Sequence, residues 1–201
     1  MNSKKALTAA VQEILFQYGL KGVTMDDLAR QLGKSKKTFY KFYSSKEDLI
    51  KEVILHRLSE DMKSVEHIMG SKVNAIEQLL MTSKALRVYL KRVKPSIAYE
   101  LKKYYPKLWS IIESFQKDFI FSMIKENLQQ GIDEDFYRKD LEIDMVALLY
   151  LGHFESISSA LQGESIQLDM GEFHKNMVDY HLRGICNDKG REFLNNYVDV
   201  D

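Results

Sequence analysis

Lysines and hydroxyl-bearing side chains are concentrated in one short segment, SKKTFYKFYSSK, which spans residues 35–46. Lysine ammonium groups neutralise phosphates or bond guanine acceptors, a threonine methyl group contacts thymine, and a tyrosine hydroxyl reaches a phosphate. In a helix, Phe39 and Phe42 lie three residues apart and are expected to face the core. The opposite side then presents Lys36, Lys37, Thr38, Tyr40 and Lys41. The segment thus carries the groups that bind a polyanion such as duplex DNA.

Capping residues and glycines predict the helices that must position this segment. Thr24, with Asp27 as its capping-box partner, begins a short second helix that Gly33 ends. Ser35 caps a third helix, which is expected over residues 36–43. Two short helices joined by a turn with glycine form the helix-turn-helix motif, whose second helix lies in the DNA major groove. The same pattern also fits an ordinary amphipathic helix with a solvated lysine face.

The charge distribution favours polyanion contact at the front of the chain. The chain has 201 residues, with 29 Lys and Arg against 29 Asp and Glu, so its total charge indicates no partner. Residues 1–48 carry nine basic against five acidic residues, or +4, which leaves −4 on the remainder. A basic end on an acidic body is typical of a protein that contacts nucleic acid through that end.

The rest of the chain is expected to be helical. It has only two prolines, Pro95 and Pro106, and it lacks the turn punctuation of an all-β domain. We therefore expect an all-α fold of about nine helices. After four N-terminal helices, the further ones are expected near residues 73–93, 96–104, 106–130, 141–162 and 171–186, whereas residues 187–201 show no periodicity.

Residues 6–55 resemble the DNA-binding domain of the tetracycline-repressor (TetR) family of bacterial transcription regulators. The matching stretches are LFQYGLKGVTMDDLARQLG and KKTFYKFYSSKEDLI. The pattern Thr-Phe-Tyr-x-x-Tyr/Phe-x-x-Lys-Glu-x-Leu is complete from Thr38 to Leu49. Beyond this region, only the helical texture and the chain length agree with the family.

The resemblance implies two domains and a set of DNA contacts. Residues 1–48 would form the helix-turn-helix DNA-binding domain, and residues 49–201 a helical effector-binding and dimerisation domain. Lys46 matches a lysine that commonly binds phosphate in the family, whereas Phe42 departs from the polar residue often found there. Helix N-termini add N–H donors for phosphates. The expected DNA-binding residues are Thr24, Ser35, Lys36, Lys37, Thr38, Tyr40, Lys41 and Lys46.

Self-association is expected as well. One such module buries too little surface for tight binding, so a homodimer that reads two half-sites about 34–36 Å apart is the physical default. The family resemblance places its interface on the helices near 141–162 and 171–186, although their apolar faces also fit the domain's own core. These faces consist of Ile143, Val146, Ala147, Tyr150, Leu151, Phe154, Ile157 and Ser158 on one helix, and of Phe173, Met177, Tyr180, His181 and Ile185 on the other.

The middle of the chain is rich in aromatic residues, which fit either a core or the apolar effector pocket that family members usually hold there. An effector acts by binding the DNA-competent and DNA-incompetent dimers with different affinity. The expected function is thus a ligand-responsive regulator, in the family's usual mode a repressor, that binds a palindromic operator and is released by a small, largely apolar, unknown effector. The candidate pocket wall consists of Trp109, Phe115, Phe119, Tyr150 and Phe154.

The alternative is a helical homodimeric interaction or ligand-carrier protein with a vestigial helix-turn-helix, against which the retained lysines argue. No catalytic residue, metal site or cofactor is expected, because the five histidines are scattered and no phosphate-cradling glycine loop or nucleophile elbow occurs. The single cysteine, Cys186, fits a reducing compartment and a small buried thiol. Without a signal peptide or a membrane-length apolar run, the sequence predicts a cytoplasmic protein with no membrane partner.

Overall fold

The computed structural model describes residues 3–92, 95–160 and 169–197, except for the side chains of residues 89–92, 95, 154–160 and 170. Contacts divide the chain into two compact units. The first unit comprises residues 1–63 and 93–114, and the second comprises residues 64–92 and 115–201. The first unit therefore contains all of the expected DNA-binding domain, residues 1–48, together with a later segment. The functional boundary at residue 48 stays a prediction.

The described part of the chain is all-α, as predicted, and it contains ten helices rather than about nine. Pro95 and Pro106 are the first residues of two of them, where a proline costs no helical hydrogen bond. The helices are α1 (Lys4–Tyr18), α2 (Met25–Gln31), α3 (Lys36–Tyr40), α4 (Lys46–Met69), α5 (Ala75–Arg92), α6 (Pro95–Tyr104), α7 (Pro106–Asp133), α8 (Ile143–Ala160), α9 (Met170–Ile185) and α10 (Asp188–Asn196).

Local capping bonds begin the N-terminal helices where the sequence predicts. Thr24 and Asp27 form a complete capping box, in which the Asp27 amide donates to Thr24 Oγ1 at 3.1 Å and the Thr24 amide donates to Asp27 Oδ2 at 3.0 Å. Ser35 Oγ accepts from the Thr38 amide at 3.1 Å. Between these helices, Gly33 adopts φ +60, a left-handed conformation that glycine takes without strain and that ends α2.

The predicted end of the third helix was wrong. Helix α3 ends at Tyr40, and the chain then turns, so the helical phase that would bring Phe42 into the core is lost. Phe39 is fully buried as predicted, but Tyr43 is the second buried ring and Phe42 is only half-buried. The Tyr43 hydroxyl hydrogen-bonds to Thr8 Oγ1 at 2.7 Å, which anchors the turn after α3 on α1.

The second unit has a core of its own, built from α5, α7, α8 and α9. A buried polar network crosses it: the Asn127 side-chain amide donates to Gln78 Oε1 at 2.9 Å, and the Tyr137 hydroxyl donates to Asn127 Oδ1 at 3.1 Å. Because every member has a partner, the network costs little to bury and fixes the register of the helices. The apolar core around it includes Ile76, Leu79, Ile124, Leu128, Ala147, Val178 and Leu182.

Helix α10 lies in the tail for which the sequence shows no periodicity, and it is a finding of the structure. Asn187 caps it by accepting from the Gly190 amide at 2.9 Å. Its Phe193 ring packs on Phe136 with centroids 5.3 Å apart. Tertiary contact with residues far away in the sequence therefore stabilises a helix that is weak on its own, since isolated helices of this length are marginal in water.

Candidate functional site

The exposed side of α3 forms a concave surface, which we call the recognition surface. It borders an open depression of about 620 Å³ and consists of Ser35, Lys37, Thr38, Tyr40, Lys41 and Phe42. Phe39 holds it in place from the buried side of α3, with an exposed fraction of 0%, whereas Tyr40 is 49% exposed. The helix thus presents ammonium groups, hydroxyls and one aromatic edge on a fixed support, as a surface that reads a DNA groove requires.

The cations of the recognition surface are available to a partner. Lys37 and Lys41 are exposed, and neither forms an ion pair with any residue that the structure describes. Lys36 differs, because its Nζ lies 3.0 Å from Asp26 Oδ1, and the hydrogen bond to Asp26 raises the pKa of the lysine. Both side chains of that pair are exposed, so exchanging the carboxylate for a phosphate costs little.

Lys46 and Thr24 lie outside the recognition surface. Lys46 is the first residue of α4, and its Nζ donates to the Lys21 carbonyl oxygen at 3.0 Å. Partial burial lowers the pKa of Lys46, and the nearby carboxylates of Glu100 and Asp27 oppose this. Thr24 donates its hydroxyl to Asp27 Oδ2 at 2.6 Å, and this hydrogen bond lowers the pKa of Asp27.

The structure therefore brings together five of the eight expected DNA-binding residues on one surface. It adds Phe42, which the sequence analysis assigned to the core and which a correct end for α3 would have placed outside. Outside this surface, the structure also shows that Lys46 binds the backbone carbonyl oxygen of Lys21, a contact that no sequence pattern indicates. The five residues are Ser35, Lys37, Thr38, Tyr40 and Lys41.

The five residues expected to line an effector pocket are divided between the two compact units. Trp109 lies in the first unit, whereas the other four candidates lie in the second. Among those, Tyr150 is buried, Phe119 is half-buried and Phe115 is exposed. The side chain of Phe154 falls outside the described residues.

A row of buried polar side chains surrounds Tyr150 in the second unit. The Tyr150 hydroxyl lies 3.4 Å from His174 Nε2, and Ser83 Oγ lies 3.1 Å from His174 Nδ1. The His181 ring meets Tyr150 edge-on, with centroids 4.9 Å apart. Burial lowers the pKa of His174 and that of His181, each to about 4, and the positive charge of Arg87 adds to the effect on His174. Both rings are therefore neutral at pH 7.

Because the pKa values of His174 and His181 are lowered, we expect mild acid to destabilise the protein. Their pKa is about 4 in the folded chain, below the ordinary histidine value of 6.5, so the unfolded chain takes up protons first as the pH falls. The contribution of each histidine to the free energy of unfolding is fully present above pH 6.5 and is lost as the pH falls toward 4. By pH 5.5 the loss is about 1 kcal/mol for each histidine.

Urea unfolding at pH 7.5 and 5.5 measures this change in the free energy of unfolding. We expect His174→Asn to reduce the pH dependence by about half and the exposed-site control His67→Asn to leave it intact. If the unfolding free energies of the two variants depend equally on pH, His174 is not a cause of the acid destabilisation.

The apolar faces predicted for dimerisation lie mainly in the chain's own core. Ala147 and Tyr150 of α8 and Met177 and Ile185 of α9 are buried, so the alternative that was left open in the sequence analysis holds for them. Two of the predicted residues of α9 are exposed instead, and so are several residues of α8 that the prediction did not include. We call them together the exposed apolar face, which comprises Met145, Leu148, Leu149 and Gly152 of α8 and Phe173 and Tyr180 of α9.

Further classes of site find no support in the described residues. They contain no group of three or more His, Cys, Asp or Glu side chains placed to hold a metal ion. Cys186 is buried, and burial raises the pKa of its thiol to about 11, which makes it a poor nucleophile. Among the described helices, none has the length and apolar character needed to cross a bilayer.

Comparison with known proteins gives a family match for the N-terminal region of the chain. Residues 6–53 match the family described as "Bacterial regulatory proteins, tetR family". The uncharacterized HTH-type transcriptional regulator YvaF of Bacillus subtilis is 26% identical over 190 residues, which cover 92% of this chain and 96% of YvaF.

Solved structures share the fold. A transcriptional regulator from Cytophaga hutchinsonii superposes with a TM-score of 0.76 at 20% identity, covering 91% of this chain and 98% of the other. The regulator FadR from Bacillus subtilis, in complex with stearoyl-CoA, has a TM-score of 0.66 at 16% identity, with coverage of 91% and 100%. The relatives are transcriptional regulators and not enzymes, as the sequence analysis expected. Residues 6–53 thus match the DNA-binding region of the tetR family of bacterial regulatory proteins, and the chain is similar to a transcriptional regulator along nearly its whole length.

Proposed function

We propose that this regulator is a repressor that binds a palindromic operator as a homodimer and that a small, largely apolar effector releases it from DNA. The observation that carries the DNA-binding part is the recognition surface, where the exposed Lys37 and Lys41 flank Thr38 and Tyr40. A helix that inserts this side into the major groove meets base edges with Lys37 and Thr38. Tyr40 and Lys41 then reach the phosphates beside the groove, and Lys46 meets the backbone at the start of α4.

The alternative, a homodimeric carrier with a vestigial helix-turn-helix, accounts less well for this surface. Lys37 and Lys41 form no ion pair in the described structure that would stabilise the unit that bears them. A surface that serves only packing has no physical need for them, whereas a DNA-binding surface gains about one released counterion for each phosphate neutralised.

The salt dependence of DNA binding tests the proposed function. If Lys41 and Lys46 of both subunits contact phosphates, the logarithm of the binding constant falls by about four units per tenfold rise in salt concentration. Fluorescence anisotropy with duplex DNA measures this slope. Lys46→Ala is expected to make it shallower by about two units per dimer and to weaken binding evenly across sequences, while the exposed loop variant Lys72→Ala leaves it unchanged. A flat salt response of the wild type would support the carrier.

The exposed apolar face supports dimerisation by a second copy of this chain. Met145, Leu148 and Leu149 are each more than half exposed and lie at helical spacings of three and four residues. Exposed apolar clusters of this kind are rare on monomers and typical of self-association. Gly152 lies one further turn along α8, with nothing within 4 Å of its built Cβ position, so a partner helix has room to approach closely.

The buried polar row in the second unit supports an effector site near Tyr150. In the described part of that unit, Thr82 Oγ1 and His181 Nε2 are buried without a hydrogen-bond partner. Buried polar atoms are nearly always paired, so these two are suited to meet the polar group of a ligand. The fatty acyl chain of the stearoyl-CoA bound by FadR is consistent with a largely apolar effector. A compound is the effector only if its binding lowers the affinity for the operator. A compound that binds the DNA-competent and DNA-incompetent states equally tightly leaves their populations unchanged.

A further inference from the structure

The loop between α1 and α2 wraps around a carboxylate from a distant helix. The amide N–H groups of Leu20 and Lys21 both donate to Glu100 Oε2 of α6, the second at 3.0 Å. Gly19 makes this possible by adopting φ +89, which turns two successive amides toward the same oxygen. Glu100 lies about 80 residues away in the sequence but in the same compact unit. Bonds from N–H groups to an ionised carboxylate are about twice as strong as neutral ones.

The same loop residue holds Lys46. Lys21 donates its amide to Glu100 and accepts, at its carbonyl oxygen, the hydrogen bond from Lys46 Nζ at 3.0 Å. The Glu100 charge also acts directly on Lys46 and favours its ammonium form. A further contact joins the loop to α6, because Lys21 Nζ lies 4.1 Å from the centre of the Tyr104 ring. Glu100 is thus linked to Lys46 in two ways: by hydrogen bonds through Lys21, and by its own charge, which opposes the lowering of the Lys46 pKa by burial.

We propose that Glu100 is a positioning residue for DNA binding: by holding the amides of the α1–α2 loop, it holds Lys46 where it meets a phosphate. This proposal rests on the proposed function, in which Lys46 is a DNA contact. Lysine is flexible and loses much side-chain entropy when it is fixed, so a preset ammonium group binds phosphate at lower cost than a free one. Glu100 lies half-buried behind the loop, where the two amides neutralise part of its charge.

Glu100→Gln tests the proposal, because it keeps the shape and removes the charge. Removing any acidic group favours DNA binding through the overall charge, so Glu13→Gln, at an exposed position of α1, is the charge-matched control. Relative to Glu13→Gln, we expect Glu100→Gln to lower operator affinity about five- to tenfold. It should also make the salt dependence shallower, as Lys46→Ala does, because the same phosphate contact is weakened.

A double-mutant cycle separates positioning from general support of the fold. If Glu100 acts through Lys46, Glu100→Gln costs no further affinity once Lys46→Ala is present. An equal loss in both backgrounds, or no loss relative to Glu13→Gln, overturns the proposal but leaves the proposed function standing. If Lys46→Ala alone leaves the affinity unchanged, both the Lys46 contact and this proposal fail.

Folding is checked by thermal melting of each variant. If Glu100→Gln does not fold, Glu100→Asp replaces it, since this variant keeps the charge and withdraws the carboxylate by one methylene group. The expected loss of operator affinity is then smaller, and it again disappears in the Lys46→Ala background. Persistence of that loss in the Lys46→Ala background would overturn the proposal.

Discussion

The double variant Lys37→Ala/Tyr40→Ala is expected to bind operator DNA at least about 100-fold more weakly than the wild type. Each good base contact is worth roughly 1–3 kcal/mol, and a dimer loses every contact twice. Both side chains are exposed and line the recognition surface, so their removal is expected to change stability by less than about 0.5 kcal/mol. Anisotropy titrations with operator DNA measure the first quantity and thermal melting the second.

A matched control accompanies this variant. Tyr18→Ala/Lys63→Ala removes the same two residue types from exposed positions of α1 and α4, outside the recognition surface. It is expected to bind within about twofold of wild type, a difference near 0.4 kcal/mol. If Lys37→Ala/Tyr40→Ala also binds like wild type, these two side chains are not at the DNA interface.

The single variants separate two kinds of contact. Lys37 lies on α3 and bonds base acceptors in the proposed complex, so Lys37→Ala should relax the preference for the operator over unrelated duplexes. Lys46 lies at the start of α4 and meets only the backbone in the proposed complex, so its removal should weaken binding to all sequences alike.

Leu149→Glu is expected to convert the proposed homodimer into monomers at micromolar concentration and to reduce operator binding by more than about 100-fold. The change places one charge on each copy of the exposed apolar face, and burying unpaired charges costs several kcal/mol. A monomer then reads one half-site and loses the gain from linking two. Sedimentation analysis measures the oligomeric state, and anisotropy with a palindromic duplex measures the affinity.

The control for this prediction is Val88→Glu, the same kind of change at an exposed position of α5. It adds equal negative charge, so its effect on DNA affinity calibrates the electrostatic part. We expect Val88→Glu to remain dimeric. A dimer that persists in Leu149→Glu at nanomolar concentration would show that the interface lies elsewhere on the chain.

The helix-turn-helix could be predicted from sequence because short-range contacts define it. Each cap joins residues three apart, as in Thr24 with Asp27 and Ser35 with Thr38, and such bonds form whatever the rest of the chain does. The end of α3 was less predictable, because no glycine or proline stops it. Only the packing of Tyr43 against Thr8 determined that this ring, and not Phe42, enters the core.

The sequence by itself determined the fold class, the start of α3 and most of the side chains that α3 exposes, because helical periodicity and capping depend on residues only a few positions apart. The tertiary structure decided which side of α8 is internal. That helix carries apolar residues on two sides, such as Ala147 and Leu149, and periodicity alone cannot rank them. The tertiary structure likewise determined the hydrogen bonds between Glu100 and the α1–α2 loop. A hydrogen bond between residues about 80 positions apart depends on how the chain folds back, which no local pattern encodes.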